Sequence, residues 1–419
     1  MHTNGCMRAA LLILCTLPLF GWNPQEDVNV NSRYTVERVS ISGKLSSRVS
    51  AELRRELDSV VGQKLDHGML DRLAARIRHD LRVQNVGVRV HRGDQPDHVT
   101  VEFDVQSGRH QGFDVNVPKF AYHSTQGFTA AGQATTTIRK TALTFGVLSD
   151  GDELVERFSG VQARVERESL GTRRLRAGFE FDSYQEQWNG STVAALANEP
   201  GVPGLYRTRQ NFQPSLTVVL APALTWTFGV GVQQLEMEGP GARTESANSA
   251  NSTLRFHTSW EDTGTNRQVL DAGYSLRAAT RALASDFVYV RHAAKVRYEA
   301  VKGHNEVTVE FTAGGLTGRA PLFERFVLGN ASTLRGWNKF ELDPLGGDRA
   351  VHGAVDYRYR RLTVFYDTGV LWNGPVNTGE KHGAGFGFRS EGKEGFLLAV
   401  AFPLRSGHVD PVFIAGFNF

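Results

Sequence analysis

From about residue 108 to its end, the chain alternates apolar and polar positions with a period of two. Val161, Ala163 and Val165 alternate with Gln162, Arg164 and Glu166, and Leu175, Ala177, Phe179 and Phe181 alternate with Arg174, Arg176, Glu180 and Asp182. Successive residues of a strand point to opposite faces, so each run predicts a strand with one apolar and one charged face. The charged face carries both signs, as expected of a barrel interior that holds water while the outer face meets lipid. About sixteen such runs can be marked. Residues 108–419 then give about 19.5 residues per strand plus connection, room for strands of ~10 residues. The predicted fold is an all-β transmembrane barrel of about sixteen antiparallel strands.

The connections alternate as well. Those joining odd to even strands are long: Gln185–Tyr206, Met237–Ser252, Leu316–Arg349 and Asn373–His382. Those joining even to odd strands are short, around Leu170–Thr172, Ala221–Leu224, Thr263–Asn266, Lys302–Asn305 and Tyr359–Leu362. Long outer loops and short periplasmic turns are the asymmetry of outer-membrane barrels. Glu238–Asn251, rich in Gly, Ser, Asn and Ala, reads as a surface loop.

Ahead of the barrel the period changes. Tyr34–Ser42 alternates as a strand. Ser46–Val60 carries Val49, Leu53, Leu57 and Val60 at helical spacing, and Gly62 ends it. Asp66 is a plausible N-cap for a second helix with Leu70, Leu73, Ile77 and Leu81 on one face. Val86–Val90 and Val99–Val105 follow as strands around the turn Arg92–Asp97. Residues 34–107 thus predict a small α+β domain in the order β-α-α-β-β.

Residues 1–25 read as a signal peptide. Arg8 supplies the positive charge, and Ala9–Phe20 is an apolar run too short to span a bilayer as a helix; cleavage is expected near Gly21–Gln25. Both cysteines, Cys6 and Cys15, lie within it. The mature chain would then hold no disulfide, thiolate metal site or Cys nucleophile. Leu14 is a poor residue before a lipidated Cys15.

Composition narrows the functional classes. Lys and Arg total 47 against 44 Asp and Glu, a net charge of +3, which argues against a nucleic-acid binder. The cations read as dispersed through strands rather than gathered in a basic patch. Mean hydropathy is −0.30, which an alternating barrel tolerates. No later run reaches the length of a membrane helix, so insertion must be by barrel. GxSxG, HExxH and P-loop motifs are absent from the sequence, so no enzymatic activity is expected. Gly383, Gly385 and Gly387 form a GxGxG without a following helix and read as small residues easing packing inside the barrel. The histidines show no metal-ligand spacing, and neither metal nor cofactor is expected.

The most specific segment is Leu322–Trp337, LFERFVLGNASTLRGW, followed by FYDTG at Phe365–Gly369. Leu334-Arg335-Gly336-Trp337, with Glu324-Arg325-Phe326 and Leu328-Gly329-Asn330 before it and Gly346-Gly347-Asp348 after it, resembles the loop motif of the BamA/TamA-type superfamily, the bacterial surface antigen family of Gram-negative outer membranes. The resemblance implies that loop 318–349 folds into the lumen. It also implies that Arg335 bonds acidic residues on the following strands, here Asp356 and Asp367, and that the small N-terminal domain is a periplasmic POTRA domain. Strand parity agrees: Asp356 faces opposite to Val355, Tyr357 and Tyr359, and Asp367 opposite to Val364 and Tyr366. A planar five-donor guanidinium can span two carboxylates, which Lys cannot do equally well. Gly336 would permit a sharp inward turn. The last strand, Pro411–Phe419, puts Phe413, Ala415, Phe417 and Phe419 on one face and resembles the C-terminal signal for barrel insertion. Gly416 admits two readings, a weakened closure between first and last strands, as in the family's assembly member, or simple close packing.

The function this implies is insertion or translocation of other proteins at the outer membrane by strand augmentation. Its partners would be outer-membrane lipid, client outer-membrane or secreted proteins, and a periplasmic partner through the POTRA-like domain. The family's assembly protein has several POTRA domains, whereas this chain has room for one. A two-partner-secretion-like translocator and a passive porin or structural surface antigen are the alternatives.

Overall fold

The structure, a computed structural model, describes residues 33–42, 49–81, 85–106, 113–197, 204–238, 243–262, 266–390 and 395–418. The expected leader at 1–25, both cysteines and Phe419 lie outside the described residues. The chain divides into two compact units, residues 1–107 and 108–419.

In the first unit, strand β1 (Thr35–Ser42) precedes helices α1 (Ala51–Val60) and α2 (His67–Leu81), and β2 (Asn85–Arg92) and β3 (His98–Gln106) follow. The sheet order is β1-β3-β2, with β1 parallel to β3 and β2 antiparallel to it. Helix α1 starts later than the apolar spacing from Ser46 suggests. The Ser50 hydroxyl caps it by accepting from the Leu53 N–H, so Val49 lies just before the helix. Asp66 accepts from the Gly68 and Met69 amides at the start of α2, a side-chain N-cap. Leu53, Leu57, Leu70, Leu73 and Ile77 bury one helical face against Val36, Val101 and Phe103. Each helix alone would be marginal, and this shared core is what fixes both.

The second unit is a closed antiparallel barrel of sixteen strands. They are β4 (Phe113–His123), β5 (Gly127–Ile138), β6 (Thr141–Asp150), β7 (Arg157–Arg167), β8 (Leu175–Gln187), β9 (Tyr206–Ala221), β10 (Leu224–Met237), β12 (Ser249–Asp262), β13 (Asn266–Ala279), β14 (Val288–Lys302), β15 (Asn305–Arg319), β16 (Arg349–Tyr359), β17 (Leu362–Asn373), β19 (Lys381–Arg389), β20 (Leu397–Pro403) and β21 (Val412–Phe417). Two short pieces, β11 (Thr244–Ser246) and β18 (Val376–Asn377), extend hairpins. The segment read as a surface loop at Glu238–Asn251 is therefore partly paired, with β11 on β10 and β12 beginning at Ser249.

Each strand pairs with its neighbour in sequence, and β21 pairs with β4 to close the ring. Closure removes the open edges that a sheet of this length would otherwise expose. Along β17 the inward residues Thr363, Phe365 and Asp367 are buried while Leu362, Val364 and Tyr366 are exposed outside. The same holds around the ring, where Phe145, Phe228, Phe256, Phe311, Phe386 and Phe413 all lie on the outer surface. A continuous apolar band of this kind is unfavourable in water and stable only against lipid. Among the described residues no helix is long and apolar enough to cross a membrane.

The last strand follows the same parity. Phe413 faces outward, and Val412 and Ile414 are buried inward beside Phe365, Ala399 and Ala401. Gly416, at φ +147°, lies so close to β4 that a Cβ would collide with the Phe120 carbonyl, so close packing accounts for this glycine.

We expect the protein to fractionate with the outer membrane and to migrate faster unheated than boiled, because the closed barrel resists detergent. Recovery as a soluble protein with no mobility difference would contradict the lipid-facing band.

Candidate functional site

The connection from β15 to β16, residues 320–348, does not project outward. It folds into the lumen and builds a second apolar core there. Leu322, Phe323, Phe326, Leu328, Leu334, Trp337 and Leu345 from the loop are buried against Tyr206, Leu235, Tyr289, Leu316 and Leu371 from the wall. The water-filled interior expected from the alternation is thus only partial. A lumen cavity of about 550 Å³ remains, lined by groups such as Glu180, Asp182, Asn211 and Gln233.

Arg335, in this loop, is 6 % exposed, with Asp367 wholly buried beside it. Its Nε and one terminal nitrogen donate to the two Asp367 oxygens, both at 2.8 Å. The terminal nitrogens also donate to Asp356 at 3.0 and 2.5 Å. The Arg335 backbone N–H adds a bond to Asp367 at 3.1 Å. The guanidinium carbon lies 3.8 Å from the centre of the Phe365 ring, a cation–π contact. Charge-assisted, two-pronged pairing of this kind fixes position and orientation together.

The backbone around the arginine is shaped to place it. Leu334 takes a left-handed φ of +44° and Gly336 a φ of +97°. A Cβ on Gly336 would come within 2.8 Å of the Phe402 backbone, so only glycine lets the turn press against β20. Leu334 N–H donates to His352 Nε2 at 3.2 Å. Trp337 is buried, and its indole N–H donates to the His382 carbonyl at 2.7 Å. The glycines read as space-savers have specific neighbours: a Cβ on Gly383 would strike the Arg335 carbonyl, and one on Gly385 the Phe365 ring.

Two further anchors hold the loop. Glu324, 2 % exposed, accepts from Arg277 and from the Tyr289 hydroxyl (3.0 Å), while Arg291 Nε donates to its backbone carbonyl at 2.8 Å. On another side, Lys339 Nζ donates to the carbonyls of Gly151, Asp152 and Leu154 at 2.6, 3.3 and 2.5 Å. The Asp152 carboxylate accepts from the Ala331 N–H at 3.1 Å, and Gln126 reaches the Gly329 carbonyl at 2.6 Å. Burial pushes the Lys339 ammonium down to about 8 and the Asp152 carboxyl up to about 6. Desolvation therefore opposes the charged form of each group even as the two charges attract.

Of the residues singled out in the sequence, Leu334, Arg335, Gly336, Trp337, Asp356 and Asp367 come together at one place. Phe413, Gly416 and Phe417 lie on the closing strand, and Phe419 lies outside the described residues. Sequence reasoning missed Phe365, His352, Lys339, Asp152 and the Arg277–Arg291 pair. Phe365 had a signal, being two residues before Asp367 and hence on the same face. His352, Asp152, Arg277 and Arg291 come from other strands and connections, and Lys339, though in the loop itself, finds partners far off in the chain; none has a local signature.

The Omp85 superfamily domain matches residues 172–391, and the chain belongs to that superfamily of outer-membrane β-barrels. Among curated proteins there is no match to the sequence. BamA from Haemophilus ducreyi, in a structure lacking POTRA domains 1–3, is similar with a TM-score of 0.55 at 13 % identity, covering 92 % of this chain and 85 % of that one. CdiB from Escherichia coli is similar with a TM-score of 0.50 at 13 % identity, covering 99 % of this chain and 96 % of that one. At this identity the likenesses speak to the fold.

Arg335→Ala should weaken the barrel far more than Arg325→Ala. It strands Asp367 without its cation in a buried site, a loss of about 3–5 kcal/mol, whereas Arg325 lies nearer the rim and bonds the Gly346 carbonyl and Asn373. The check is the temperature at which the unheated gel mobility is lost; equal shifts for the two variants would remove Arg335 from its central place. Gly336→Ala keeps every charge and should still lower that temperature, because the new methyl meets the Phe402 backbone.

Proposed function

We propose that this barrel assists the insertion or translocation of other proteins at the outer membrane by strand augmentation, without a covalent reaction. Its N-terminal unit then acts as a POTRA-like domain in the periplasm. The observation that carries this reading is the short seam. Among the described residues, strand β21 pairs with β4 through Ile414–Phe417 against Phe120–His123, with one further bond from the Ser124 N–H to the Phe413 carbonyl. By contrast, β12 and β13 pair without a break from Ser249–Ala279 to Asp262–Asn266. Beyond the seam, Phe113–Val117 of β4 have no backbone partner on β21 among the described residues, and Phe113 is 73 % exposed. Past the register break between Asn116 and Lys119, at Pro118, Phe113–Asn116 are paired on one side only, with Gln133–Thr136 of β5. Unpaired N–H and C=O groups on an edge are a template for an incoming strand.

The first unit supports the same mechanism. Strand β2 is an edge of its sheet, with Val88 and Val90 exposed, and can take up an extended segment in the same way. The docked loop supports it from inside. A barrel whose seam opens needs another element to hold its wall, and the loop is bonded to β13, β14, β16 and β17 at once. A passive porin is disfavoured by that filling, since an open pore needs a wide polar lumen.

Tyr122 and Ala415 are directly opposed across the seam. Cysteines at both positions (Tyr122→Cys with Ala415→Cys) should abolish client insertion when oxidised and restore it when reduced. Equal client levels under both conditions would contradict seam opening. Deleting Tyr34–Gln106 should leave a heat-modifiable barrel, because the two units have separate cores, while lowering client levels in the outer membrane. Single-channel conductance should be small or fluctuating in the full chain. Steady, large conductance in both forms with no client defect would favour a porin.

A further inference from the structure

Barrel closure gathers cations that are scattered in the sequence, and it corrects the expectation that no basic patch forms. The even-to-odd turns all arrive at one rim. Among their described residues stand Arg139, Lys140, Arg173, Arg174, Arg360 and Arg361 against a single acid, Glu168. The connections at the opposite rim hold more carboxylates than cations. The turns β5–β6 and β7–β8 are neighbours, tied by the Glu168 N–H donating to the Lys140 carbonyl at 3.1 Å and by Arg167 donating to the Thr141 hydroxyl at 3.1 Å. Arg139, Lys140, Arg173 and Arg174 there are all exposed.

We propose that this cluster of Arg139, Lys140, Arg173 and Arg174 binds the phosphate headgroups of anionic phospholipids in the leaflet at the turn rim. Two features select lipid over a soluble anion. The first is height: the cluster caps the apolar band where exposed Ile138, Leu143, Val165 and Leu170 lie on or beside the same strands. A bound phosphate there leaves its acyl chains on those side chains. The second is continuity. The same arrangement recurs at the β16–β17 turn, where Arg360 lies 5.6 Å from the Tyr359 ring centre and exposed Leu362 follows. Aromatic side chains at headgroup level with arginines just beyond them match a bilayer interface, and clustered cations near a membrane select anionic lipids. The cluster flanks β5, the neighbour of seam strand β4, so lipid held here would fix the depth of the wall beside the seam.

The test uses the full chain purified in detergent, mixed with phosphatidylglycerol or phosphatidylcholine, with bound lipid counted by native mass spectrometry. The wild type should prefer phosphatidylglycerol at least about fivefold, the change expected for a single cation near an anionic surface. That preference should vanish at about 1 M salt. Replacing all four (Arg139→Gln, Lys140→Gln, Arg173→Gln, Arg174→Gln) should bring the preference close to one. Arg243→Gln with Arg281→Gln at the opposite rim should leave it intact. Should the fourfold variant lose its heat-modifiable mobility, Arg139→Gln with Lys140→Gln alone, and the salt dependence of the wild type, decide the matter. Equal binding of the two lipids by the wild type, or an unchanged preference in the variants, would overturn the proposal. So would displacement of the lipid by inorganic phosphate at equal concentration, which would mark a site for free phosphate instead.

Discussion

One guanidinium, sealed between two carboxylates inside the barrel, is the constraint on which the rest of this structure depends. Burying Arg335 and Asp367, with Asp356 partly buried beside them, is costly unless every charge is met. Here the donors of the arginine meet both carboxylates, and an aromatic ring covers the remaining face. A buried pair of this kind adds little net stability compared with apolar packing, but breaking it is severe, so it acts mainly to specify one arrangement. That arrangement is the loop inside the lumen, and the left-handed turn at Leu334–Gly336 exists to deliver the arginine to it.

Fixing the loop gives the barrel a core it would otherwise lack. Sixteen strands enclose more space than their own inward side chains fill, and Leu322, Phe323, Phe326 and Leu345 occupy part of it. The wall is then held by two kinds of contact, the hydrogen bonds around the ring and the loop across it. The ring is weakest between β21 and β4, where four residues of each strand are paired. The loop's anchors on Glu324 and Arg335 reach β13, β14, β16 and β17, away from that seam, while Ala331 packs in one cluster with Ile414 of β21. Under the proposed function, those anchors would hold the wall while strands exchange at the seam.

Much of the barrel is legible in the sequence, because lipid outside and polar groups inside impose a period of two that few other environments impose over three hundred residues. The strand parity of Asp356 and Asp367 follows from that period alone. Their pairing with Arg335 does not; it rests on the resemblance carried by Leu334–Trp337 and FYDTG. What the chain does not disclose are the contacts that depend on closure. Lys339 finds three carbonyls in the β6–β7 connection nearly two hundred residues away, and Glu324 finds Arg277 and Arg291 on two other strands. The same blindness hid the basic rim, since Arg139 and Arg174 are neighbours only once the sheet has formed. The α1 boundary was misplaced for a local reason: apolar spacing continues back to Val49, but the Ser50 cap starts the helix after it.

The central claim is that residues 326–337 rest inside the barrel and are held there by Arg335. Hydrogen–deuterium exchange of the intact wild-type protein tests it most directly. If the claim holds, amides across Phe326–Trp337 exchange about as slowly as those of β16 and β17, and far more slowly than those of the exposed turn at Asn377–Glu380. Exchange across Phe326–Trp337 as fast as in that exposed turn would show the loop to be outside, and would contradict the account.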